Sequence, residues 1–167
     1  AWVDHSDLIS LQSSGTTGTP KTITIQKSNM ALGAQLTAQH FELKPGTEAL
    51  LCLPAAYIAG KMMLVRSIVN AWNLHLIPPS SAPLQDDLPS FDFAALTPMQ
   101  FQKSKATHPK AGENIETIIL GGASVSKALN SLLQHHPKKV FETYGMTETI
   151  THIATRKVNG ENRSDYF

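Results

Sequence analysis

Short apolar runs alternate with helical stretches along most of the chain. The helical stretches are predicted after Ser28, over 58–72 and over 126–136, where apolar residues recur every three or four positions. Strands are predicted between them, because the runs are β-prone or apolar and turn residues bound them. These strands cover residues 8–12, 22–26, 49–53, 74–77, 93–97, 115–120, 139–143 and 151–158. The order favours an α/β fold with a mainly parallel sheet and helices on both faces.

Some positions in this pattern carry more specific expectations. Ser28 is the predicted N-cap of the first helix, which Pro45 and Gly46 should end. The helix over 58–72 is apolar on almost every face, so it should be buried within the fold. Residues 80–89 are rich in Ser, Pro and Asp and are the predicted long loop.

Composition narrows the class of protein. The chain has 167 residues, 41% of them hydrophobic, which suits a single core of ordinary size. Its 14 basic and 13 acidic residues are scattered, so a nucleic-acid partner is disfavoured. No apolar run is long enough to span a bilayer and no secretory signal is seen, so a cytoplasmic location is expected.

Seven histidines raise the question of a metal site. None has a cysteine or a second ligand at a fixed spacing. Even the adjacent pair His135 and His136 would point to different faces of a helix. Surface histidines are therefore the favoured interpretation.

The strongest local signal is SSGTTGTPK at residues 13–21, between two predicted strands. Its glycines let backbone N–H groups approach a ligand closely, and its hydroxyls and Lys21 can bind phosphate oxygens. A flexible linker would not normally be flanked so tightly by strands. A P-loop NTPase is disfavoured, because Pro20 stands where that motif requires its second glycine and a strand is predicted to follow in place of a helix. The segment is predicted to cradle phosphates.

A second signal, ETYGMTET at residues 142–149, directly follows a predicted strand. Open α/β sheets bind ligands at such strand ends. Tyr144 can stack on a purine, Gly145 permits a tight turn, Thr147 can bond a phosphate oxygen and Glu148 can hold Mg²⁺. Taken alone, a plain turn with a core tyrosine explains this segment equally well.

A third signal, LGGAS at residues 120–124, lies between a strand and a helix. Its paired glycines allow backbone to approach a flat ring or an acyl group. A strand-to-helix turn explains them nearly as well, so the segment is weak evidence by itself.

Together, in this order and spacing, the three segments resemble the acyl-CoA synthetase and adenylation-domain superfamily. The resemblance covers about residues 8–158 and implies part of the large N-terminal domain of an adenylate-forming enzyme, with ATP and Mg²⁺ as cofactors and coenzyme A as co-substrate. It implies that Lys21, Thr147 and Glu148 are catalytic and that Glu148 binds the metal. It also implies nucleotide contacts from Ser14, Gly15, Thr16, Thr17, Gly18, Lys21, Gly121, Gly122, Ala123, Tyr144, Gly145 and Thr147.

Residues 53–68 (LPAAYIAGKMMLVRSI) are similar to a segment that reads L-P-x-F-H-x-x-G in o-succinylbenzoate–CoA ligases of menaquinone synthesis. This likeness favours that activity. The alternatives are another acyl- or aryl-CoA ligase and a non-catalytic nucleotide-binding module. The usual Phe-His pair is Ala56-Tyr57 here, and Tyr57 cannot titrate near neutral pH. Expected contacts to the small-molecule acid are Tyr57, Gly60, Arg66, Gly122 and Met146.

Arg66 stands in an otherwise apolar predicted helix. An unpaired guanidinium is costly there, so it should meet a carboxylate of the protein or of a ligand, and these two readings are evenly balanced. The substrate o-succinylbenzoate has two carboxylates, one to be activated and one for such a cation.

Several parts of the superfamily pattern are missing after Val158. No ribose-binding T-G-D segment, hinge or small C-terminal domain is seen there. Residues 1–167 are therefore expected to form a single AMP-binding core, a fragment with poor activity by itself. Surfaces that are covered in longer members would be exposed and are expected to promote self-association, with a homodimer as the expected partner state.

Overall fold

A computed structural model of the chain describes residues 2–12 and 22–167. A separate ribbon pairs β1 (Leu8–Gln12) antiparallel with β2 (Thr22–Gln26). The main sheet has the strand order β4-β3-β5-β6-β7-β8. Its strands are β3 (Glu48–Leu51), β4 (Asn73–Leu76), β5 (Phe91–Leu96), β6 (Ile115–Leu120), β7 (Lys139–Gly145) and β8 (His152–Lys157).

The strands from β3 to β7 pair in parallel, and β8 runs antiparallel to β7 at one edge. Helices α1 (Lys27–His40) and α2 (Ile58–Asn70) pack on one face of the sheet. Helices α3 (Pro98–Thr107) and α4 (Lys127–Leu133) pack on the other face. The predicted fold class, a mainly parallel sheet with helices on both faces, is confirmed.

The core has two apolar layers, because successive residues of a buried parallel strand point to opposite faces. In β3, Ala49 and Leu51 face α1 and α2, whereas Leu50 faces α3 and α4. A third cluster packs the β1–β2 ribbon onto the outer side of α1 and α2. Helix α2 is thus covered on two sides, as its apolar sequence predicts. The third cluster consists of Ile9, Leu11, Ile25, Met30, Ala34, Met62 and Val65.

Helix α3 was not predicted. Its start has a capping box, in which Thr97 Oγ1 accepts a hydrogen bond from Gln100 N (3.2 Å) and Gln100 Oε1 accepts one from Thr97 N (3.0 Å). Pro98 occupies the first turn, where a missing N–H costs nothing. The helix lacks an apolar stripe, since it buries Phe101 but exposes Met99. The capping box was therefore the sequence signal from which α3 could have been predicted.

Several predicted helix boundaries were wrong. Helix α1 begins at Lys27 with Gln26 at the N-cap, and Ser28 lies inside the first turn. Helix α1 ends at His40, before the predicted stop at Pro45 and Gly46, and α2 ends at Asn70 instead of residue 72. Helix α4 ends at Leu133, short of the predicted residue 136. Only local signals supported these boundaries, and helix ends are the least certain part of such predictions.

The prediction that both adjacent histidines lie on the surface was wrong for His136. His135 is exposed, but His136 is only 6% exposed and packs edge-on against Phe101, with ring centroids 5.3 Å apart. Neither ring nitrogen of His136 has a hydrogen-bond partner among residues 2–12 and 22–167. Burial lowers the pKa of His136 to about 4, and the nearby charge of Lys105 adds to this effect.

Strands β4 and β8 are the edges of the main sheet, and neither pairs with a further strand among residues 2–12 and 22–167. Leu76 on β4 is 67% exposed and Ile153 on β8 is 64% exposed. Self-association through such edges stays a prediction.

No described helix is long and apolar enough to cross a membrane.

Acid should destabilise the fold through His136. Its pKa is about 4 in the folded chain and near 6.5 when unfolded, so between these pH values the unfolded chain binds more protons. Stability is then complete above about pH 6.5 and falls as the pH drops towards 4. Urea denaturation followed by circular dichroism measures the urea concentration at the midpoint of unfolding. Between pH 7 and about pH 4.5, this concentration should fall less for His136→Gln than for the wild type. The adjacent variant His135→Gln is the control and should keep the full loss; equal pH dependence in the two variants would contradict the assignment.

Candidate active site

Two of the predicted ligand-binding segments emerge side by side from the sheet. Strands β6 and β7 pair in parallel up to Leu120 and Glu142, so their carboxyl ends lie next to each other. The hydroxyl of Thr143 donates a hydrogen bond to the carbonyl of Leu120 at 3.1 Å, which joins the two strand ends. The loop that follows β6 and the end of β7 are therefore neighbours. The first carries Gly121, Gly122 and Ala123, and the second carries Tyr144 and Gly145.

A buried carboxylate, Glu142, fixes both strand ends. Its side chain is 5% exposed. Oε1 accepts a hydrogen bond from Val125 N (2.8 Å), and Oε2 accepts from Nε (2.7 Å) and Nη2 (2.6 Å) of Arg156 on β8. Glu142 thus connects β7 to the β6–α4 loop and to β8. The sequence analysis missed this role, although a charged residue within the run KVFETY was a usable signal.

The turn after β7 leaves two predicted site residues available. Thr149 holds the turn, because its hydroxyl accepts a hydrogen bond from Met146 N (2.8 Å) and lies 2.9 Å from the carbonyl of Thr151. The side chains of Thr147 and Glu148 form no hydrogen bond or ion pair with any described residue. Tyr144 and Met146 are 52% and 50% exposed, so this turn presents an accessible aromatic ring beside free polar groups.

A metal at Glu148 would need ligands from a bound substrate. In the described part of the chain, no group of three His, Cys, Asp or Glu side chains is arranged to hold a metal ion. One carboxylate together with substrate phosphates is, however, a common way for proteins to bind Mg²⁺. The exposed Glu148 fits that arrangement.

Glycine is needed at position 145 for a structural reason that does not involve a nucleotide. A Cβ atom there would lie 2.5 Å from the carbonyl oxygen of Thr151 and 2.7 Å from Cα of His152. The pairing of β7 with β8 shifts by one residue between Tyr144 and Gly145, which is a β-bulge. Glycine therefore lets the start of β8 approach the end of β7.

The predicted acid-binding segment forms a tight turn at the start of α2. A Cβ atom on Gly60 would lie 2.3 Å from the carbonyl oxygen of Pro54, so only glycine fits. The Nζ atom of Lys61 donates hydrogen bonds to the carbonyls of Ala55 (3.0 Å) and Ala56 (3.1 Å). Tyr57 at the end of this turn is 54% exposed. Lys61, which the sequence analysis did not assign, stabilises the turn that presents Tyr57.

Arg66 is the most unusual charge in the structure. It is 3% exposed, and burial lowers its pKa to about 10, so it stays charged at neutral pH. Its Nε donates to Thr37 Oγ1 (3.3 Å), its Nη2 donates to Thr151 Oγ1 (2.6 Å), and its Nη1 lies 3.6 Å from Sδ of Met63. A guanidinium has five N–H groups, so each terminal nitrogen keeps one without a partner in the described structure.

A protein carboxylate for Arg66 is missing. Arg66 forms no salt bridge with a carboxylate of the described residues, and residues 1 and 13–21 contain no Asp or Glu. Of the two partners expected from the sequence, a carboxylate of this chain is therefore not found. Two N–H groups of the guanidinium therefore stay without a partner in the described structure, and guanidinium groups commonly bind carboxylates in a bidentate manner.

Two histidines lie beside Arg66, and the sequence analysis had treated both as isolated. Nδ1 of His152 is 3.5 Å from Thr151 Oγ1, the oxygen that also accepts from Arg66. Burial, together with the charges of Arg66 and His40, lowers the pKa of His152 to about 4. Nε2 of His40 is 2.8 Å from Thr155 Oγ1 on β8. Their shared surroundings depend on tertiary packing, so no sequence signal pointed to them.

The predicted phosphate cradle lies outside the described residues. This applies to Ser14, Gly15, Thr16, Thr17, Gly18 and Lys21, and their approach to Tyr144 stays a prediction. Strands β1 and β2 flank this segment, and their ribbon belongs to the third apolar cluster. Ile150, in the turn after β7, packs against the same cluster. The ribbon therefore packs close to the turn that follows Tyr144.

An open sheet with loops at the carboxyl ends of parallel strands defines the class of doubly wound α/β ligand-binding domains. Within that class, the sequence profile of the AMP-binding enzyme family matches residues 1–166. The chain therefore belongs to this family of adenylate-forming enzymes.

Individual relatives agree with this assignment. A solved acyl-CoA synthetase (AMP-forming)/AMP-acid ligase II-like protein from Dyadobacter fermentans is 38% identical, with a TM-score of 0.90 over 98% of this chain and 48% of that one. The 2-succinylbenzoate–CoA ligase of Bacillus mycoides is 27% identical over 87% of this chain and 31% of its own length. The nonribosomal peptide synthetase verP of Clonostachys rogersoniana is 27% identical over 91% of this chain and 8% of its own length. The chain thus spans less than half the length of each.

Loss of the Glu142 carboxylate should destabilise the fold strongly. The variant Glu142→Gln leaves the largely buried Arg156 without its counter-ion, and breaking such a pair costs about 3 kcal/mol. The matched control is Glu116→Gln, which breaks an exposed pair with Lys138 and should cost less than about 1 kcal/mol. Urea denaturation of both variants measures the difference; similar losses in the two would show that Glu142 does not hold the strand ends.

Proposed function

We propose that the protein to which this chain belongs uses ATP to activate a carboxylic acid as its acyl-AMP and then transfers the acyl group to coenzyme A. The observation that carries this proposal is the pair of neighbouring strand ends in an AMP-binding family chain. One presents the loop over 121–123, and the other presents Tyr144, Thr147 and Glu148 with their side chains available.

The described residues suit a purine nucleotide. The half-exposed ring of Tyr144 would lie against one face of adenine, with the backbone over 121–123 close by. Thr147 would bond the α-phosphate through its free hydroxyl. Thr16, Thr17 and Lys21 would bind the β- and γ-phosphates. A Mg²⁺ ion held by Glu148 and the phosphates would neutralise part of the phosphate charge.

The proposed reaction has two steps. The carboxylate oxygen of the acid attacks the α-phosphorus of ATP. The bond between this phosphorus and the oxygen that bridges it to the β-phosphate breaks, and pyrophosphate leaves. The thiol of coenzyme A then attacks the acyl carbonyl and AMP leaves. No protein nucleophile is required, so the residues act by holding two anions together and by offsetting their repulsion.

We further propose o-succinylbenzoate as the acid. Arg66 supports this choice, because it is a buried cation whose two free N–H groups match a second carboxylate. The likeness of the chain to 2-succinylbenzoate–CoA ligases also supports it. Tyr57, Gly60, Gly122 and Met146 would line the remainder of the acid.

Another acyl- or aryl-CoA ligase is the second candidate. The Dyadobacter relative is described as an acyl-CoA synthetase without a stated acid, and Ala56-Tyr57 replaces the Phe-His pair of the o-succinylbenzoate enzymes. The two candidates share the adenylation chemistry and differ only in the acid.

Pyrophosphate release by the full-length protein tests the reaction. It should require ATP and o-succinylbenzoate together, and Thr147→Ala should lower kcat/KM by about 10²-fold through loss of a phosphate contact. Thr107→Ala, an exposed threonine on α3, is the control and should be neutral. Release only with another acid would favour the second candidate, and ATP binding without turnover by any acid would indicate a non-catalytic module.

Arg66→Met should separate a ligand role from a structural one. Because an unpaired buried charge is removed, the free energy of unfolding of the acid-free protein should stay the same or increase. The KM for o-succinylbenzoate should rise at least about tenfold, since a charged hydrogen-bonding partner is lost. Arg163→Met, at an exposed arginine that contacts Gln134, should change neither quantity. A large loss of stability with an unchanged KM would identify Arg66 as a structural residue.

A further inference from the structure

Arg66, His40 and His152 form a basic cluster between α1, α2 and the start of β8. Arg66 comes from α2, His40 is the last residue of α1, and His152 is the first residue of β8. Thr151 connects two of them, with its hydroxyl 2.6 Å from Arg66 Nη2 and 3.5 Å from His152 Nδ1. Thr151 thus places His152 next to the guanidinium of Arg66.

The charged groups that act on His152 in the described structure are Arg66 and His40. Helix α2 contributes Arg66, and α1 contributes His40 together with the ring of Phe41, whose centroid is 6.1 Å from that of His152. Its own strand contributes Thr155, which contacts His40. No carboxylate is among the charged groups that act on His152 in the described structure.

This arrangement keeps His152 neutral in the absence of a ligand. Burial, Arg66 and His40 hold its pKa near 4, so His152 adds no charge to that of Arg66 at neutral pH. An anion placed at Arg66 would reverse the electrostatic effect on His152, because an opposite charge nearby favours the protonated form. The geometry thus links anion binding at Arg66 to protonation of the neighbouring ring.

We infer that His152 is a specificity-determining residue for dicarboxylic acids: when the remote carboxylate of the acid binds at Arg66, His152 takes up a proton and becomes its second cationic partner. This inference rests on the proposed function, because it requires an acid at Arg66. Only an anionic remote group would induce the change.

The proton balance is simple. One proton passes from the solvent to a ring nitrogen of His152, and no other bond is made or broken. The negative charge of the carboxylate offsets the positive charge gained by the imidazole, so the net charge of the occupied site equals that of the empty one. A substrate whose remote group is an ester or a methyl group brings no such compensation and should bind without proton uptake.

Isothermal titration calorimetry of the full-length protein with o-succinylbenzoate tests this inference. Titrations in two buffers of different ionisation enthalpy, between about pH 5.5 and pH 7.5, measure the protons taken up per acid bound. We expect uptake that approaches one proton, and an affinity that falls by up to about tenfold per pH unit as the pH rises above the pKa of the free site.

Esters of the acid and histidine variants of the protein show which carboxylate causes the proton uptake and which histidine takes up the proton. Each of the two monomethyl esters of o-succinylbenzoate masks one carboxylate, and only one of them should abolish the uptake. His152→Gln should bind the acid with no uptake and with a flat pH profile. His135→Gln, at an exposed histidine, should behave like the wild type.

The possible failures are distinguishable. The inference would be overturned if the wild type bound the acid without proton uptake, or if the uptake persisted in His152→Gln. The proposed function would still be supported in either case if pyrophosphate release depended on the acid. The wild-type titration needs no variant, so poor folding of His152→Gln would not prevent the decision. Absence of pyrophosphate release with o-succinylbenzoate and with any other acid would overturn the proposed function, and the inference with it.

Discussion

The parallel pairing of β6 with β7 is the constraint on which the candidate site depends. Adjacent parallel strands bring their carboxyl ends to one edge of the sheet, so segments about 20 residues apart in the sequence become neighbours there. Glu142 secures this arrangement through contacts on both sides, with Val125 and with Arg156. Because both oxygens of this buried carboxylate have partners, Glu142 acts as a structural support for the ends of β6 and β7.

Arg66 shows the opposite use of a buried charge. Glu142 has a counter-ion within the protein, whereas Arg66 has hydroxyl and thioether contacts only among the described residues. Burying a cation without a carboxylate is unfavourable in the empty protein. The acid carboxylate proposed to bind at Arg66 would provide the missing charge, and such a local loss of stability is expected at functional sites.

Much of the fold could be predicted from local patterns. The bounds of β1, β2 and β6 agree with the sequence prediction, because turn residues border these runs clearly. Helix α3 was missed because its face is only weakly apolar, and its capping box was the available signal. The segments LGGAS and YGMTE could be located from residue type and order alone.

The electrostatic environment of the site could not be predicted in the same way. The missing counter-ion of Arg66 and the position of His152 beside it depend on contacts between residues 85 and 86 positions apart. Sequence patterns report on neighbours within a strand or helix, and long-range pairing is set by packing. The burial of His136 against Phe101 is a second example of the same limit.

The β-bulge at Tyr144 and Gly145 has a consequence for the contacts that β8 makes. In a regular strand, side chains three positions apart point to opposite faces, yet His152 contacts Phe41 just after α1 and Thr155 contacts His40 at the end of α1. The extra residue that the bulge inserts in β8 rotates His152 to that side. A single inserted position thus lets one strand contact the end of α1 through its first residue and the buried carboxylate of Glu142 through Arg156, so both surroundings share a common mechanical frame.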